Sequence, residues 1–374
     1  MKNIAIIVPT LNKGGAERVA ANMSLEFSKH YNVYTIVHDG RDIIYPYGGK
    51  LIDLALPPAS SVPGKVLTLL KRIRALRKIK KEYAIDVSIS HLPPSNYVNI
   101  FSRRKEKVIT YLHSMKGRPR QEKFFSLLSD KYICVSRYAR QNAVANFGIS
   151  EKKAVTVYNF CDIEPPTRTE QSGTVQIVNM GRLSKEKGQP HLLRAMKLVI
   201  DELGDRVHLT LIGDGSERQA LEHLASCLGI QNQVTFAGFC QDPWSKLVNC
   251  DLYVLSSLWE GLPMALVEAG RCGLPIIAAD CKSGCREILA PDTPVDTQAD
   301  SIEYAKYGVL VPAFTGTDAM RLSPTREEKL LAEAMIAFCR DPELRAAYAQ
   351  KAKSRAEDFY PNQIMAQWES IIDE

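Results

Sequence analysis

Short runs of apolar, largely β-branched residues alternate with helix-forming segments along most of this 374-residue chain. Such runs are typical of buried strands, and strands that alternate with helices favour βαβ units and a parallel sheet. The series stops at a polar, proline-containing segment, residues 159–173, and starts again at Val175. Because a chain of this length is also long for a single core, we predict an α/β fold with two Rossmann-like domains.

The predicted strands fall into two groups on either side of that polar segment. In the first group they are residues 4–9, 32–37, 86–90, 107–112 and 131–136. In the second group they are residues 175–180, 207–212, 234–239, 252–255, 275–280 and 307–311. The segments between them carry the spacing of amphipathic helices, so the same βαβ arrangement is used twice.

The strand 252–255 leads into a turn and a helix that together carry two carboxylates. Pro263 has the fixed φ and the missing N–H that suit the first turn of a helix. Glu260 lies just before this helix and Glu268 lies two turns further on. A helix N-terminus favours phosphate, so both carboxylates are expected to project towards one ligand there. The alternative is a capping Glu and a second Glu on a solvated face.

A basic turn follows the first predicted strand of the second group. Arg182 and Lys187 flank this turn, which opens on a helix predicted from Gln189. Two cations at this position suit a diphosphate, because Arg forms bidentate hydrogen bonds and Lys acts as a mobile point charge. The alternative is an ordinary solvated loop.

These segments resemble retaining glycosyltransferases of the GT-B fold, in the large family numbered four. The resemblance rests on Glu260 and Glu268 with Gly-Leu-Pro between them, on G-R-L-x-x-x-K-G at residues 181–188 and on G-D-G at residues 213–215. It implies that Arg182 and Lys187 hold the diphosphate of a nucleotide sugar, that Glu260 holds the sugar and that Glu268 holds the ribose. The cations would also stabilise the leaving group as negative charge grows on its phosphate.

The resemblance assigns further residues to the donor. His113 follows the strand 107–112 and would face the donor sugar as a fourth catalytic residue beside Glu260, Arg182 and Lys187, although an isolated His is more often structural. The other donor-binding residues that it implies are Gly14, Gly15, Gly181, Gly213, Gly215, Phe236, Gly238, Gly261, Leu262, Pro263 and Met264. For the Gly-Gly pair alone, a simple tight turn is the alternative.

The same resemblance implies an architecture and a reaction. Two Rossmann-like domains face one another across a cleft, with residues 1–165 binding the acceptor and residues 174–358 binding the nucleotide sugar. A final helix, residues 359–374, crosses back to the first domain. The expected reaction is hexosyl transfer with retention, and the sequence identifies no catalytic base. Since no D-x-D motif lies at a strand end, we expect no metal and no cofactor beyond the nucleotide sugar.

Residues 65–83 predict a basic amphipathic helix. Its apolar stripe consists of Val66, Leu69, Leu70, Ile73, Leu76, Ile79 and Tyr83. Lys80 is among the cations that fill the remainder, and those assigned to a membrane-facing side are Lys71, Arg72, Arg74, Lys78 and Lys81. Such helices are typical of anionic membrane surfaces. The alternative, compatible with the first, is a solvated helix whose stripe packs on the sheet. Nucleic acid is not expected, because no aromatic platform accompanies the cations.

Composition and termini bear on location. The net charge of +6 is mild, and the 9 cysteines include no C-x-x-C pair, which favours a reducing compartment and no zinc site. The chain enters a strand at once with no signal peptide, and no run of ~18 apolar residues predicts a membrane span. We expect a cytoplasmic protein that lies peripherally on the inner face of the plasma membrane.

The Gly-Gly-Ala-Glu-Arg segment at residues 14–18 and the basic helix together resemble bacterial enzymes that extend polyprenyl-diphosphate-linked glycans. The expected partners are a nucleotide diphosphate sugar, with UDP as the favoured nucleotide, and this lipid-linked acceptor. A transferase with a soluble or glycolipid acceptor is an alternative. A non-catalytic membrane-associated scaffold predicts loss of an active-site residue, and an NAD-linked oxidoreductase predicts G-x-G-x-x-G; neither feature is present.

Overall fold

The computed structural model describes residues 1–12, 14–113, 118–169, 173–316 and 321–374. The chain divides into two compact units. The first unit comprises Met1–Asn159 with Ile364–Glu374, and the second comprises Phe160–Gln363. Each unit contains one seven-stranded sheet with helices between its strands. The predicted fold class, two Rossmann-like α/β domains, is confirmed.

The first unit is built on an entirely parallel sheet with strand order β3-β2-β1-β4-β5-β6-β7. Its strands are β1 (Asn3–Val8), β2 (Asn32–Val37), β3 (Lys50–Asp53), β4 (Val87–His91), β5 (Lys107–Leu112), β6 (Lys131–Cys134) and β7 (Ala154–Thr156). Its helices are α1 (Gly15–Phe27), α2 (Val62–Glu82), α3 (Pro93–Phe101), α4 (Pro119–Leu128) and α5 (Arg137–Phe147). The central strand β1 is fully buried from Ile4 to Val8, as expected for a strand covered on both faces.

The second unit has strand order β10-β9-β8-β11-β12-β14-β13, in which β13 alone runs antiparallel to its neighbour. Its strands are β8 (Val175–Met180), β9 (Val207–Ile212), β10 (Val234–Gly238), β11 (Leu252–Leu255), β12 (Ile276–Ala279), β13 (Glu303–Tyr304) and β14 (Val309–Val311). The helices of this half of the chain are α6 (Gln189–Leu203), α7 (Arg218–Cys227), α8 (Trp244–Leu247), α9 (Met264–Arg271), α10 (Cys285–Leu289), α11 (Arg326–Arg340), α12 (Pro342–Glu357) and α13 (Pro361–Asp373).

Most of helix α13 belongs to the first unit although it ends the chain. Its Trp368 is fully buried and packs edge-on against Phe27 of α1, with ring centroids 5.5 Å apart. The same indole stacks on Tyr111 of β5 at 5.9 Å. Burial of a whole tryptophan contributes roughly 3 kcal/mol or more to stability, so the end of the chain is firmly held in the first unit's core.

Every strand predicted from the sequence is present, with ends shifted by at most two residues. Three further strands, β3, β7 and β13, were not predicted. Each is only two to four residues long and lies at or beside a sheet edge. Edge strands are exposed on one side and do not need the continuous apolar run by which central strands are recognised.

In both sheets the strand order reverses at one point. The reversal lies between β1 and β4 in the first unit and between β8 and β11 in the second. Chain segments leave such a point in opposite directions and open a crevice at the carboxyl ends of the strands, where α/β proteins bind ligands. The segments that follow β8 and β11 are the ones in which Arg182, Lys187 and Glu260 were predicted to act.

Candidate functional site

The candidate site of the second unit lies at the carboxyl ends of β8 and β11. After β8 the chain forms a 3-10 turn, Lys185–Lys187, and passes through Gly188 with φ of 61°. A side chain at Gly188 would place its Cβ 2.1 Å from the Ser256 carbonyl oxygen, so only glycine fits. The Ser256 hydroxyl donates to the Lys187 carbonyl (3.0 Å), and the Leu258 N–H donates to the Glu186 carbonyl (2.9 Å). These bonds fasten the basic turn to the loop that carries Glu260.

Lys187 and Glu260 form a direct ion pair. Lys187 Nζ lies 2.6 Å from Glu260 Oε1, and the Ser257 hydroxyl donates to the same oxygen at 2.6 Å. Both side chains are largely covered, with 25% of Lys187 and 10% of Glu260 exposed. Burial alone would lower the pKa of the Lys187 ammonium, but the Glu260 carboxylate outweighs burial and raises that pKa. Lys187, which was predicted to bind phosphate, and Glu260, which was predicted to bind the sugar, therefore neutralise one another's charge.

Arg182 differs from Lys187 in its surroundings. It is exposed, and its guanidinium makes no ion pair with any residue in the described part of the chain. Its backbone is fixed, because the Gln189 side-chain amide donates to the Arg182 carbonyl at 3.0 Å. The site thus presents one solvated cation on a fixed backbone beside one cation that is already paired.

The predicted donor-binding glycines beside this turn pack backbone against backbone. A Cβ at Gly213, whose φ is 141°, would lie 2.0 Å from the Gly181 carbonyl oxygen. A Cβ at Gly215 would lie 2.2 Å from the Leu183 carbonyl oxygen. The Gly213 N–H donates to the Gly238 carbonyl at 2.8 Å. Gly213 and Gly215 are required by the close approach of neighbouring backbone, whereas a Cβ at Gly181 would make only ordinary contacts. The contact of these glycines with a donor stays a prediction.

The charges of Glu268 and Glu260 both act on Tyr253 of β11. The pKa of the buried Tyr253 phenol is raised, chiefly by burial, and the charges of both carboxylates add to this effect. Glu268 lies within α9, and only 5% of its surface is exposed. Both carboxylates therefore influence the same buried phenol, but their projection towards one ligand stays a prediction, and Glu268 is more deeply placed than a ligand on an open surface.

The turn before α9, which holds the predicted residues Gly261, Leu262, Pro263 and Met264, is supported by a loop that the sequence did not single out. The Ser283 hydroxyl donates to the Gly261 carbonyl at 2.5 Å. Gly284, with φ of 74°, packs so closely that a Cβ would lie 2.4 Å from Pro263 Cδ. A Ser-Gly pair that follows β12 after three intervening residues is the signal that indicates this supporting role.

Phe236 lies in β10 and is partly buried against the core of the second unit. Its carbonyl accepts a hydrogen bond from the Arg218 guanidinium at 3.3 Å. The assignment of this segment to the donor stays a prediction.

In the first unit, Gly14 and Gly15 begin helix α1. The space over Gly14 is filled by the Glu17 carboxylate, which would lie 1.9 Å from a Cβ at that position. A carboxylate in the first helical turn is stabilised by the partial positive charge of the helix N-terminus. Nothing lies within 4 Å of a Cβ at Gly15.

His113 lies one residue past the end of β5 and is half-buried. Its Nε2 is 2.9 Å from Nδ1 of His91, the last residue of β4. Burial lowers the pKa of His113 to about 3, so the ring is neutral at physiological pH. His91 is the residue of this pair that sequence reasoning missed.

The predicted basic helix is present as α2, and four of the five cations assigned to its membrane-facing side are exposed. We refer to these four, Lys71, Arg74, Lys78 and Lys81, as the basic face. Arg72 is the exception: its Nε and Nη2 donate to the Leu56 carbonyl at 2.9 and 2.5 Å, so it is tied to the first unit. Lys80 is another correction, because it is buried and pairs with Glu106 at 2.6 Å.

The apolar stripe of α2 differs from the prediction. Leu76 is fully buried, but Val66 and Leu70 are 55% and 46% exposed, and Leu67 is 52% exposed. Residues 67, 70, 74, 78 and 81 recur at intervals of three or four, so the exposed leucines share one helix face with most of the basic face. The first half of α2 thus exposes both apolar side chains and cations to solvent.

Among the residues described, no group of three or more His, Cys, Asp or Glu side chains is arranged to hold a metal ion. Within the same residues, no helix is both long and apolar enough to span a membrane.

Comparison with known families assigns both halves of the chain. Residues 13–165 match the family described as Glycosyltransferase Family 4. Residues 163–300 match the family described as Glycosyl transferases group 1. The two matches together cover more than half of the sequence.

Individual proteins show the same similarity. An uncharacterized glycosyltransferase of Methanocaldococcus jannaschii is 29% identical, over 82% of this chain and 83% of its own length. The N-acetylgalactosamine-N,N'-diacetylbacillosaminyl-diphospho-undecaprenol 4-alpha-N-acetylgalactosaminyltransferase of Campylobacter jejuni is 24% identical, over 96% of both chains. The crystal structure of Anabaena HepE with UDP and glucose matches with a TM-score of 0.77 at 18% identity, over 100% of both chains.

Proposed function

Because the chain belongs to the family 4, group 1 glycosyltransferases and has their GT-B fold, we propose that it transfers a sugar with retention at the anomeric carbon. The donor is a nucleotide diphosphate sugar, favoured as a UDP-linked hexose or N-acetylhexosamine. The acceptor is a polyprenyl-diphosphate-linked glycan at a membrane, within assembly of a surface polysaccharide or a glycoprotein glycan. The glycosyltransferase class follows from the family, and the donor, stereochemistry and acceptor are the proposal.

The contact that carries the proposal is the Lys187–Glu260 pair, with Arg182 beside it, where the second sheet reverses its strand order. In this proposal the donor diphosphate binds Arg182 bidentately and shares the Lys187 ammonium. Glu260, relieved of part of its pairing, accepts hydrogen bonds from sugar hydroxyls. The cations stabilise the charge that grows on the leaving phosphate as the glycosidic bond breaks.

Three features of the mechanism follow from the family resemblance. The leaving phosphate, and not a protein side chain, accepts the proton of the acceptor hydroxyl. Charge compensation comes from Arg182 and Lys187, so the reaction proceeds without a divalent metal. Glu268 holds the ribose hydroxyls of the nucleotide.

The donor and acceptor classes rest on relatives. HepE was crystallised with UDP and glucose, which supports a UDP-sugar donor. The Campylobacter protein is named for a diphospho-undecaprenol substrate, which supports a lipid-linked acceptor. In a parallel βαβ connection the helix runs back from the carboxyl edge, so the apolar first half of α2 lies towards the edge where ligands bind. This placement supports a substrate anchored in a membrane.

The test is product formation with a panel of UDP- and GDP-sugars, a polyprenyl-diphosphate glycan as acceptor, and EDTA present throughout. We expect one UDP-sugar to be consumed and the new linkage to have the anomeric configuration of the donor by NMR. An inverted product would refute retention, and loss of activity in EDTA that Mg²⁺ or Mn²⁺ restores would refute metal independence. Absence of turnover with every donor would leave a non-catalytic scaffold as the better account.

A further inference from the structure

The carboxyl edge of the first unit's sheet holds two histidines in direct contact, His91 and His113. We propose that His91 is a positioning residue that holds His113 as a neutral ring with its proton on Nδ1. This proposal rests on the proposed function in one respect, namely that sugar transfer uses the donor-sugar contact that the family resemblance implies for His113. The arrangement of the two rings depends only on their own contacts within the first unit.

The strand register brings the rings together. His91 is the register partner of Tyr111 across β4 and β5, and His113 is two residues beyond Tyr111. Since side chains two residues apart point to the same side of an extended chain, all three rings meet on one side. Tyr111 stacks on His91 and on His113, with centroids 4.8 and 4.6 Å apart and rings within 21° and 16° of parallel. Trp368 stacks on Tyr111 in turn.

The backbone next to His91 is held in an unfavourable conformation. Leu92, the following residue, has φ of 70° and ψ of 147°, a backbone conformation that residues other than glycine rarely adopt. Such a strained conformation persists only where the surrounding structure over-determines it. Here the turn at Leu92 leads directly from His91 into helix α3.

The hydrogen-bond inventory fixes which ring donates. Both rings are neutral, because burial lowers both pKa values and each neutral ring carries one N–H. His91 is fully buried, and its Nε2 has no hydrogen-bond partner among the described residues. An orphaned N–H is rarer in native proteins than an orphaned acceptor, so the proton of His91 belongs on Nδ1. His91 then donates to Nε2 of His113.

The consequence concerns the other side of His113. Because its Nε2 accepts from His91, its own proton must be on Nδ1. His113 therefore offers a hydrogen-bond donor, and not a base, on its remaining nitrogen. A donor at this position suits a sugar oxygen and not a hydroxyl proton, so His91 would fix the type of hydrogen bond that the donor sugar meets.

Two variants separate positioning from packing. In His91→Asn the side-chain amide can still donate to His113 Nε2, whereas His91→Leu fills the space without a donor. Long-range ¹H–¹⁵N correlation spectra at pH 7.5 then report which nitrogen of His113 is protonated. We expect Nδ1 to be protonated in the wild type and in His91→Asn, and a mixture of tautomers in His91→Leu. Protonation of Nε2 in the wild type would overturn the proposal.

Kinetics supply a second readout. Loss of one neutral hydrogen bond corresponds to about a tenfold effect, so kcat/KM should fall about tenfold in His91→Leu and less than threefold in His91→Asn. UDP binding, which depends on the second unit, should be unchanged in both. Equal losses in both variants with an unchanged His113 tautomer would refute positioning. If the wild type transfers no sugar, the proposed function fails, but the spectra still decide the tautomer.

Discussion

Replacement of Glu260 by Gln should strengthen the binding of UDP while it abolishes sugar transfer. Glu260 occupies the Lys187 ammonium at 2.6 Å, so a diphosphate must compete with this carboxylate for the cation. The amide of Gln keeps the size of the side chain but removes its charge. The freed ammonium then pairs with phosphate alone, whereas the sugar loses its carboxylate ligand.

The magnitude follows from the geometry. At 2.6 Å and an effective dielectric constant of ~20, the Coulomb attraction is ~6 kcal/mol before desolvation is subtracted. Exposed pairs retain ~1 kcal/mol or less, and breaking fully buried pairs costs ~3–5 kcal/mol. Lys187 and Glu260 are mostly but not fully covered, so a net value of about 2 kcal/mol is reasonable. If most of this interaction free energy becomes available to the phosphate, the Kd for UDP should fall about tenfold.

The assay is isothermal titration calorimetry with UDP, at two salt concentrations, on wild type, Glu260→Gln and Lys187→Met. Glu343→Gln, which removes an exposed carboxylate from α12 in the same unit, controls for net charge. UDP should bind about tenfold more tightly to Glu260→Gln and more weakly to Lys187→Met, with Glu343→Gln unchanged. Equal or weaker binding by Glu260→Gln would refute the competition between carboxylate and phosphate.

Three further predictions concern other parts of the molecule. Gly213→Ala should destabilise the protein by about 2 kcal/mol or more, because its Cβ meets the Gly181 carbonyl, whereas Gly173→Ala, in open space, should leave the urea midpoint within error. Charge reversal of the basic face should lower the partition coefficient onto phosphatidylglycerol vesicles at least a hundredfold at low salt, because each cation contributes about 1 kcal/mol. Sedimentation with the vesicles measures this coefficient. Pure phosphatidylcholine vesicles should bind neither the wild type nor the charge-reversed variant. Equal binding of these two proteins to phosphatidylglycerol vesicles would exclude the basic face as the membrane-binding surface. The control reverses four exposed lysines of the second unit, namely Lys246, Lys329, Lys351 and Lys353. His113 has a folded pKa of about 3, below its unfolded value of ~6.5, so the unfolded chain binds more protons between these pH values. The stability of the wild type relative to His113→Asn should therefore fall as pH drops from ~6.5 to ~3, by up to ~1.4 kcal/mol per pH unit, and a constant difference would contradict the buried neutral ring.

The sequence predicted the strands because buried parallel strands require continuous apolar runs. It also predicted Lys187 and Glu260 as functional residues, each from its own motif. It did not predict that they bond to one another, because that contact depends on the pairing of β8 with β11, and 71 residues lie between these two strands. Side-chain contacts across a sheet are set by register, and a motif carries no information about register.

Helix α2 illustrates a different limit. The spacing of its apolar residues correctly indicated a helix, but Val66 and Leu70 are exposed and Lys80 is buried. Periodicity reveals which residues share a face of the helix. It does not reveal along how much of the helix neighbouring elements cover that face. Lys80 reaches an acceptor, Glu106, on a loop that is distant in sequence, so its burial is a tertiary effect.

Of the pair His91 and His113, the sequence indicated only His113. His113 stood out because it follows a strand, and His91 did not because it ends one and is fully buried. Tyr111 of β5 and His113, one residue past its end, are two residues apart, and this spacing indicates that their rings share a side. Only the register between β4 and β5 adds His91 to that side.

In the proposed mechanism Arg182, Lys187 and Glu260 form the site of sugar transfer. The most direct test is the initial rate of transfer in EDTA for Lys187→Ala and Glu260→Ala, beside Lys185→Ala, which removes an exposed cation from the same turn. We predict a loss of at least a hundredfold in the first two variants and less than a twofold change in the third. Rates that match the wild type in Lys187→Ala or Glu260→Ala, or an equal loss in Lys185→Ala, would contradict the account.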